Sequence, residues 1–194
     1  VGDMRNQGFE FNVDVTPVNT RSFNWRIGFN ITTNKNEVLK LTDAIDTKSG
    51  LIRGMTYNKK GGRLAAFYLA EYAGINDETG IPQIYEIDRD HFQKTGETVK
   101  TGKIIPATTN NIKNHKVLHK DETALPTFFG GINNSFEYKG IELSFMFTYQ
   151  GGNYIYWGTE WSNVSAGNAS KVLRHDILNN TWTAPGSNAA YPKL

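Results

Sequence analysis

Residues 141–150 read Ile-Glu-Leu-Ser-Phe-Met-Phe-Thr-Tyr-Gln, and a tight Tyr-Lys-Gly turn at 138–140 precedes them. Large apolar side chains occupy the odd-numbered positions, and mostly polar side chains occupy the even-numbered ones. Only a β-strand separates side chains with a period of two residues. An apolar face ending in an aromatic residue, backed by a mostly polar face, is typical of a wall between lipid and a water-filled lumen. A soluble sandwich uses such strands too, so the neighbouring segments decide.

Similar patterns elsewhere predict antiparallel strands near 8–15, 23–33, 64–73, 126–138 and 141–150. The first two alternate regularly and are close enough in sequence to form a hairpin. The third is apolar but alternates only weakly. Together these patterns predict an all-β fold, in which the five strands and their long loops form part of a large transmembrane β-barrel.

The alternation also assigns side chains to faces, because a strand places successive residues on opposite sides. One continuous apolar surface facing lipid is predicted to contain Phe9, Phe11, Trp25, Ile27, Phe29, Leu143, Phe145 and Phe147. The opposite, lumenal surface is predicted to contain Glu10, Asn12, Arg26, Asn30, Glu142 and Gln150.

The connections between these strands are very unequal in length. Residues 74–125 form a long polar stretch with one local strand near 83–87, and 151–194 form another long stretch. Outer-membrane barrels have short turns on the periplasmic side and long loops outside. We therefore expect the 138–140 turn to be periplasmic and both long stretches to be external.

Two connections fit this asymmetry less well. With five wall strands, 16–22 becomes a short external hairpin, although external connections are usually the longer ones. Residues 34–63 fit only if the segments at 36–41 and 50–57 prolong the flanking strands into a taller hairpin.

The composition is compatible with a barrel. Apolar residues make up 38% of the chain and its mean hydropathy is −0.50, with no long apolar run that predicts a transmembrane helix. Barrel strands of about 9–11 residues are half polar, so average hydropathy does not reveal them. The chain opens at Val1 without an initiator Met. We expect 1–194 to be a partial barrel domain of a larger protein, with no plug domain in this segment.

The basic and histidine residues give no strong functional signal. Lys59, Lys60 and Arg63 form the densest basic spot in a chain of net charge +2, and a solvated loop is favoured over a nucleic-acid site. His115 and His119 are four apart without a Glu in the zinc-protease position, so surface histidines are favoured over a metal site. The absence of cysteine excludes disulfides and thiolate metal ligands within the chain.

The acidic residues between 77 and 90 do not follow the ligand spacing of a calcium loop, so a solvated acidic loop is favoured. The chain also lacks a G-x-S-x-G nucleophile elbow and a phosphate-binding glycine loop. The prediction is therefore a non-enzyme with no cofactor and no metal.

Four aromatic residues after the last strand are the candidate binding residues: Tyr154, Tyr156, Trp157 and Trp161. Rigid aromatic side chains stack on sugar rings or grip peptides at a small entropic cost. Tyrosine and tryptophan also form the girdle at a membrane interface. Ligand or partner contact and girdle or loop packing therefore both stay open.

Six short motifs follow one another in a distinctive order. They are Asn-Gln-Gly-Phe-Glu-Phe at 6–11, Phe-Asn-Trp at 23–25, Asn-Lys-Asn-Glu-Val at 34–38, Gly-Ile-Asn-Asp-Glu-Thr-Gly at 74–80, the segment from Pro126 through Gly-Gly-Ile-Asn-Asn-Ser to Gly140, and Trp-Thr-Ala-Pro-Gly at 182–186. In this order they resemble the late barrel of the SusC/RagA group of TonB-dependent outer-membrane transporters. The resemblance spans essentially the whole chain.

The resemblance implies a barrel in the bacterial outer membrane, in contact with lipid and plugged by an N-terminal domain. It implies a SusD-like surface lipoprotein as partner, contact with TonB through the N-terminal part of the protein, and import of glycans or peptides, without nucleic acid. Barrels of such transporters have about 22 strands, so the strands here are part of the wall. The alternative interpretation is a soluble all-β carbohydrate-binding module.

Overall fold

The computed structural model describes residues 2–42, 50–158 and 175–193. The strands are β1 Asp3–Gln7, β2 Glu10–Asn19, β3 Phe23–Thr33, β4 Lys35–Lys40, β5 Leu51–Arg53, β6 Thr56–Asn58, β7 Ala66–Ala70, β8 Tyr72–Ile75, β9 Pro82–Ile87, β10 Lys100–Pro106, β11 Lys116–Thr123, β12 Phe128–Tyr138 and β13 Ile141–Gly151. The short helices are α1 Arg89–Thr95, α2 Thr109–Asn114 and α3 His175–Asn180. No helix in these ranges is long and apolar enough to span a membrane.

The longest strands form one four-stranded antiparallel sheet in the order β13-β12-β3-β2, which we call the wall. The pairing of β3 with β12 is continuous, from Phe23 opposite Tyr138 to Thr33 opposite Phe128. The strands predicted near 8–15, 23–33, 126–138 and 141–150 are thus confirmed as neighbours in one sheet. Among the described residues, the outer edges of β2 and β13 pair with no further strand.

The strand predicted at 64–73 is present as β7, but its predicted place in the wall was wrong. The segment divides into β7 and β8, which lie in two other sheets. β7 is apolar at every position because both of its faces are covered, and such strands read as continuous apolar runs instead of alternating ones. The weak alternation of 64–73 therefore indicates a strand covered on both faces, unlike the strands of the wall.

The whole stretch 34–127 is consequently one connection between the neighbouring strands β3 and β12, which we call the excursion. It contains a sheet in the order β11-β7-β6-β5 and another in the order β10-β9-β8. Its small core consists of Tyr57, Ala66, Tyr68 and Leu118, with Phe92 of α1 packed against it. The expectation of a polar loop at 74–125 is therefore corrected, although its predicted strand near 83–87 is confirmed as β9.

The first part of the excursion prolongs the wall. β1 pairs with β4, with Gln7 opposite Lys35, and the Thr33 amide donates to the Phe9 carbonyl at 2.8 Å just below. Segment 36–41 does contain a strand, β4, but the taller hairpin of 36–41 with 50–57 does not form. β4 pairs with β1, whereas β5 and β6 pair with each other inside the excursion.

The two short turns of the wall lie at the same edge. The β2–β3 turn at 20–22 and the β12–β13 turn at Lys139-Gly140 are neighbours, and the Lys139 amide donates to the Ser22 carbonyl at 3.1 Å. The expectation that 16–22 is a hairpin on the opposite side was wrong. Its error follows from counting 64–73 as a wall strand, which inverted the direction of every strand before it.

With that correction, the connections follow one rule. Both short turns lie at one edge of the wall, while the excursion and the segment after β13 leave from the other edge. This is the asymmetry between turns and loops that outer-membrane barrels show.

Candidate functional site

The wall has one apolar face, because directly paired residues of neighbouring antiparallel strands lie on the same side of a sheet. Its members are Phe11, Val13, Val15, Phe23, Trp25, Ile27, Phe29, Ile31, Ile132, Phe136, Tyr138, Ile141, Leu143, Phe145, Phe147 and Tyr149. Phe147 is 64% exposed and Ile141 is 74% exposed. In a soluble sandwich a second sheet covers such a face; no described residue does so here.

The opposite face of the wall is mostly polar, with Phe129 and Met146 as exposed apolar exceptions. It carries Glu10, Asn12, Asp14, Asn24, Arg26, Asn30, Asn133, Ser135, Glu137, Glu142, Ser144, Thr148 and Gln150. Side chains on this face bond to each other across strands, as when Ser135 donates to Glu142 at 3.3 Å. Glu142 and Phe145 lie on opposite faces, as the alternation predicted.

The height of the apolar face matches a bilayer. The rows run from Phe23 beside Tyr138 to Thr33 beside Phe128. Ten residue steps of about 3.4 Å, on strands tilted by about 40°, give a band about 26 Å tall. Transmembrane barrels carry an apolar band of about 25 Å.

Aromatic packing joins the strands across the apolar face. The Phe136 ring lies 5.8 Å from the Trp25 ring and 6.0 Å from the Phe145 ring, centroid to centroid. Asn134 interrupts the face, but its side-chain oxygen accepts a hydrogen bond from the Trp25 indole at 3.3 Å. The polar side chain is thus satisfied inside the sheet, which matters where no water competes.

The candidate aromatic residues lie beyond the end of β13, against the excursion. The Tyr154 amide donates to the Thr123 carbonyl at 2.9 Å, which ties this segment to the end of β11. A groove of about 290 Å³ separates the segment from β7 and β11; its lining includes Phe67, Leu69, His119, Glu122, Tyr154, Tyr156 and Trp157. The structure therefore brings three of the four candidates together, while Trp161 lies outside the described residues.

These aromatic side chains remain partly open. Trp157 is 64% exposed, Tyr154 49% and Tyr156 40%, and Ile155 between them is 82% exposed. They cover the face of the excursion sheet opposite its core, since Phe67 and Leu69 alternate with the core residue Tyr68 along β7. The segment thus combines packing on the excursion with a free apolar edge.

Two of the motifs found in the sequence contact each other in space, which we call the clasp. The Trp182 indole donates to the Asp77 carbonyl at 2.8 Å, and the Gly186 amide donates to the Asp77 carboxylate at 3.0 Å. The Trp182 ring also lies over Gly80, where an added Cβ would be 2.5 Å from the ring. Both motifs are visible in the sequence, but nothing in the sequence indicates that they contact each other.

The clasp makes a testable prediction. Trp182→Ala removes the ring and the indole hydrogen bond, and we expect the local opening free energy of 175–193 to fall by about 2 kcal/mol. Hydrogen exchange of the Lys193 amide, which donates to the Gly80 carbonyl at 2.9 Å, should then accelerate about 30-fold. Trp182→Phe should give a smaller change because it keeps a ring over Gly80. Unchanged exchange in Trp182→Ala would show that the clasp does not hold the segment.

The basic spot is structural, contrary to the expected solvated loop. Lys59 is only 9% exposed, and its ammonium donates to the Gly96 carbonyl at 2.6 Å and pairs with Glu97 at 2.7 Å. Arg63 is 5% exposed and donates to the Leu125 carbonyl at 3.0 Å. Lys60 alone among the three basic residues is exposed.

Glu97 lies between two lysine ammonium groups at the surface of the excursion. Partial burial alone raises the pKa of its carboxyl, but the hydrogen bonds and charges of Lys120 and Lys59 outweigh burial, so the net pKa is lowered. The carboxylate therefore stays ionised and holds the end of α1 against the sheet through Lys59.

The histidine and acidic residues also have structural partners. His119 lies 3.3 Å from the Glu122 carboxylate, and the His115 ring accepts from the Ile87 amide at 3.1 Å. Asp88 caps α1 by accepting from the His91 amide, which differs from the solvated loop that was expected. Across 2–42, 50–158 and 175–193, no group of three or more His, Cys, Asp or Glu side chains is arranged to hold a metal ion.

The class of protein follows from the wall. This antiparallel sheet has an apolar face of bilayer height, a polar face, short turns at one edge and long segments at the other. It is part of a large transmembrane β-barrel of the outer-membrane type. The clasp and the groove both lie at the long-loop edge.

Several known outer-membrane receptors are similar to this chain in sequence. No protein-family model matches the chain. The "TonB-dependent receptor P39" of Formosa agariphila is 29% identical over 221 residues, covering 100% of this chain and 21% of that receptor. The "TonB-dependent receptor SusC" of Bacteroides thetaiotaomicron is 26% identical over 192 residues, covering 93% of this chain and 17% of SusC. The chain spans about a fifth of the length of these curated relatives.

Solved structures agree on the fold. The RagAB peptide transporter superimposes with a TM-score of 0.74 at 24% identity, over 98% of this chain and 20% of that chain. The RagAB peptide importer in the "closed-closed" state gives a TM-score of 0.74 at 25% identity, with the same coverage. In sequence and fold the chain is therefore similar to the SusC/RagA family of TonB-dependent receptors. These relatives are named as receptors and transporters, and none of them as an enzyme.

Proposed function

We propose that this chain forms part of the wall and outer loops of an outer-membrane transporter that imports peptides or glycans. The observation that carries the proposal is the wall itself, with an exposed apolar face on one side and a polar face on the other. Such a sheet is stable between lipid and a water-filled lumen. The printed name of the RagAB peptide importer supports import as the direction of transport.

The division of labour within the larger protein follows from this proposal. Residues 1–194 are one part of the barrel domain, and the plug and the TonB contact belong to the N-terminal part of the protein. The short-turn edge faces the periplasm, and the excursion and the segment after β13 face outward, because long connections of outer-membrane barrels are external. The polar face then lines the substrate path.

The partner is a SusD-like surface lipoprotein that closes over the outer loops. The exposed side chains of Tyr154, Ile155, Tyr156 and Trp157 support a contact role for this segment, because apolar groups on loops of a rigid scaffold are typical interface anchors. Girdle packing is less well supported, since these residues lie over the excursion sheet and not on the apolar face of the wall.

Alanine at Trp157, in the full-length transporter, tests the contact role. We expect at least a tenfold loss of lipoprotein co-purification or of uptake of labelled peptide or glycan, with normal barrel assembly, because truncation of an aromatic anchor typically costs about 2 kcal/mol of binding. Tyr156→Ala should act in the same direction, and Trp161→Ala tests the candidate outside the described residues.

Ile104→Ala is the matched control, because Ile104 is 47% exposed on β10 and lies outside the groove. It should leave both readouts unchanged. If Trp157→Ala and Trp161→Ala preserve both uptake and lipoprotein capture, the contact role is wrong. If Trp157→Ala instead lowers the amount of assembled barrel, the side chain serves packing.

A further inference from the structure

Two cations mark the short-turn edge of the wall. Arg21 is exposed at the tip of the β2–β3 turn, and Lys139 is exposed at the tip of the β12–β13 turn. The Lys139 amide donates to the Ser22 carbonyl, which holds the two turn tips side by side. Neither cation forms an ion pair with a described residue.

The Lys139 ammonium lies on the apolar side of the wall. Its nitrogen is 5.2 Å from the centroid of the Tyr138 ring, and Tyr138 belongs to the apolar face. Phe23 and Ile141 flank Tyr138 in the last apolar row, so a cation stands directly at the rim of an apolar surface. A lysine in this position keeps its charge in the headgroup layer while its stem covers apolar surface.

The acidic residues of the last polar row lie on the other face of the wall. Glu137 and Glu142 are direct cross-strand partners on the polar face, where they bond with Asn24 and Ser135. Charge is thus sorted across the thickness of one sheet, with carboxylates toward the lumen and ammonium toward the apolar side. A binding partner on the apolar side of the short-turn edge therefore meets positive charge next to an apolar surface.

We propose that the short-turn edge binds the headgroup of an anionic phospholipid. The phosphate accepts hydrogen bonds from the Lys139 ammonium and the Arg21 guanidinium, and the acyl chains lie along the row of Phe23, Tyr138 and Ile141. This inference rests on the proposed function, because it requires the apolar face to meet lipid. It adds a lipid class and two named residues to that function.

The test uses the purified full-length transporter, reconstituted in nanodiscs that contain phosphatidylglycerol and phosphatidylcholine. Native mass spectrometry counts the retained lipids of each class. Each basic residue near a lipid surface contributes about fivefold to the attraction of anionic lipid. The double variant Arg21→Gln with Lys139→Gln should therefore lose at least tenfold in preference for phosphatidylglycerol, and each single variant should lose less.

Lys113→Gln is the matched control, because Lys113 is exposed on α2, far along the chain in the excursion. It should keep the wild-type preference. Equal preference in wild type and double variant, or an equal loss in Lys113→Gln, would overturn the proposal. Uptake by the same variants separates the two ideas: retained uptake with lost preference supports the lipid site, whereas a wild-type protein without uptake contradicts only the proposed transport function.

Discussion

Arginine in place of Phe145 is expected to destabilise the folded barrel by about 2–4 kcal/mol, the cost of a cation at the midplane of a transmembrane barrel. Phe145 lies in the third row from the short-turn edge, opposite Asn134, which is itself opposite Ile27. This row is close to the middle of the apolar band. The substitution also removes the ring contacts of Phe145 with Phe136 and Phe147.

Ser144→Arg is the control for this substitution. Ser144 is the neighbouring residue on the polar face, where a long cation reaches water. The measurement is the amount of full-length protein that assembles in the membrane as heat-modifiable barrel, together with the urea midpoint in phospholipid vesicles. Similar losses for both variants would show that the two faces do not differ in their surroundings.

The second large effect is expected at Gly130. The Tyr149 side chain lies across this glycine, and its hydroxyl donates to the Asn30 carbonyl at 2.8 Å. A Cβ at Gly130 would overlap the Asn30 carbonyl oxygen and come within 2.6 Å of the Tyr149 hydroxyl. Since one of these atoms belongs to the backbone of the paired strand, a rotamer change cannot relieve the overlap. We expect Gly130→Ala to cost about 3 kcal/mol, at the upper end of overpacking penalties.

Gly131→Ala provides the matched comparison in the next residue. The nearest atom to its added Cβ is the Phe147 carbonyl oxygen at 3.3 Å, a tight contact that a small shift relieves. The two variants should therefore differ clearly in assembly yield and urea midpoint, and Gly130→Ala should have the lower value of each. Equal stability of both variants would contradict the close approach of β3 and β12 at Gly130.

The wall was predictable because each of its strands meets two different solvents. Phe11, Trp25 and Phe145 belong to strands with one apolar and one polar face, so the period of two is visible in the sequence. The excursion was not predictable in the same way. β7 is covered on both faces, so Phe67 and Tyr68 are both buried and no alternation remains to identify a strand.

The candidate site likewise has parts that the sequence predicts and parts that it does not. The position of the aromatic segment 154–157 follows from the end of β13, which alternation predicts. The position of the clasp between Asp77 and Trp182 does not follow from alternation, because its hydrogen bonds join residues 105 and 109 apart in the sequence. Lys59 carries a charge that favours water in any sequence-based analysis, and only the carbonyl and carboxylate groups around it explain its burial.

The proposed function requires both short turns to lie on the periplasmic side and the excursion to lie outside the cell. Single cysteines at Arg21, Lys139, Lys60 and Lys113, in a chain segment that contains no cysteine of its own, test it with a membrane-impermeant maleimide. In intact cells, Lys60→Cys and Lys113→Cys should label, while Arg21→Cys and Lys139→Cys should label only after the outer membrane is permeabilised. Labelling of Arg21→Cys together with Lys139→Cys in intact cells would invert the orientation, and labelling of only one of the two would contradict the wall topology itself.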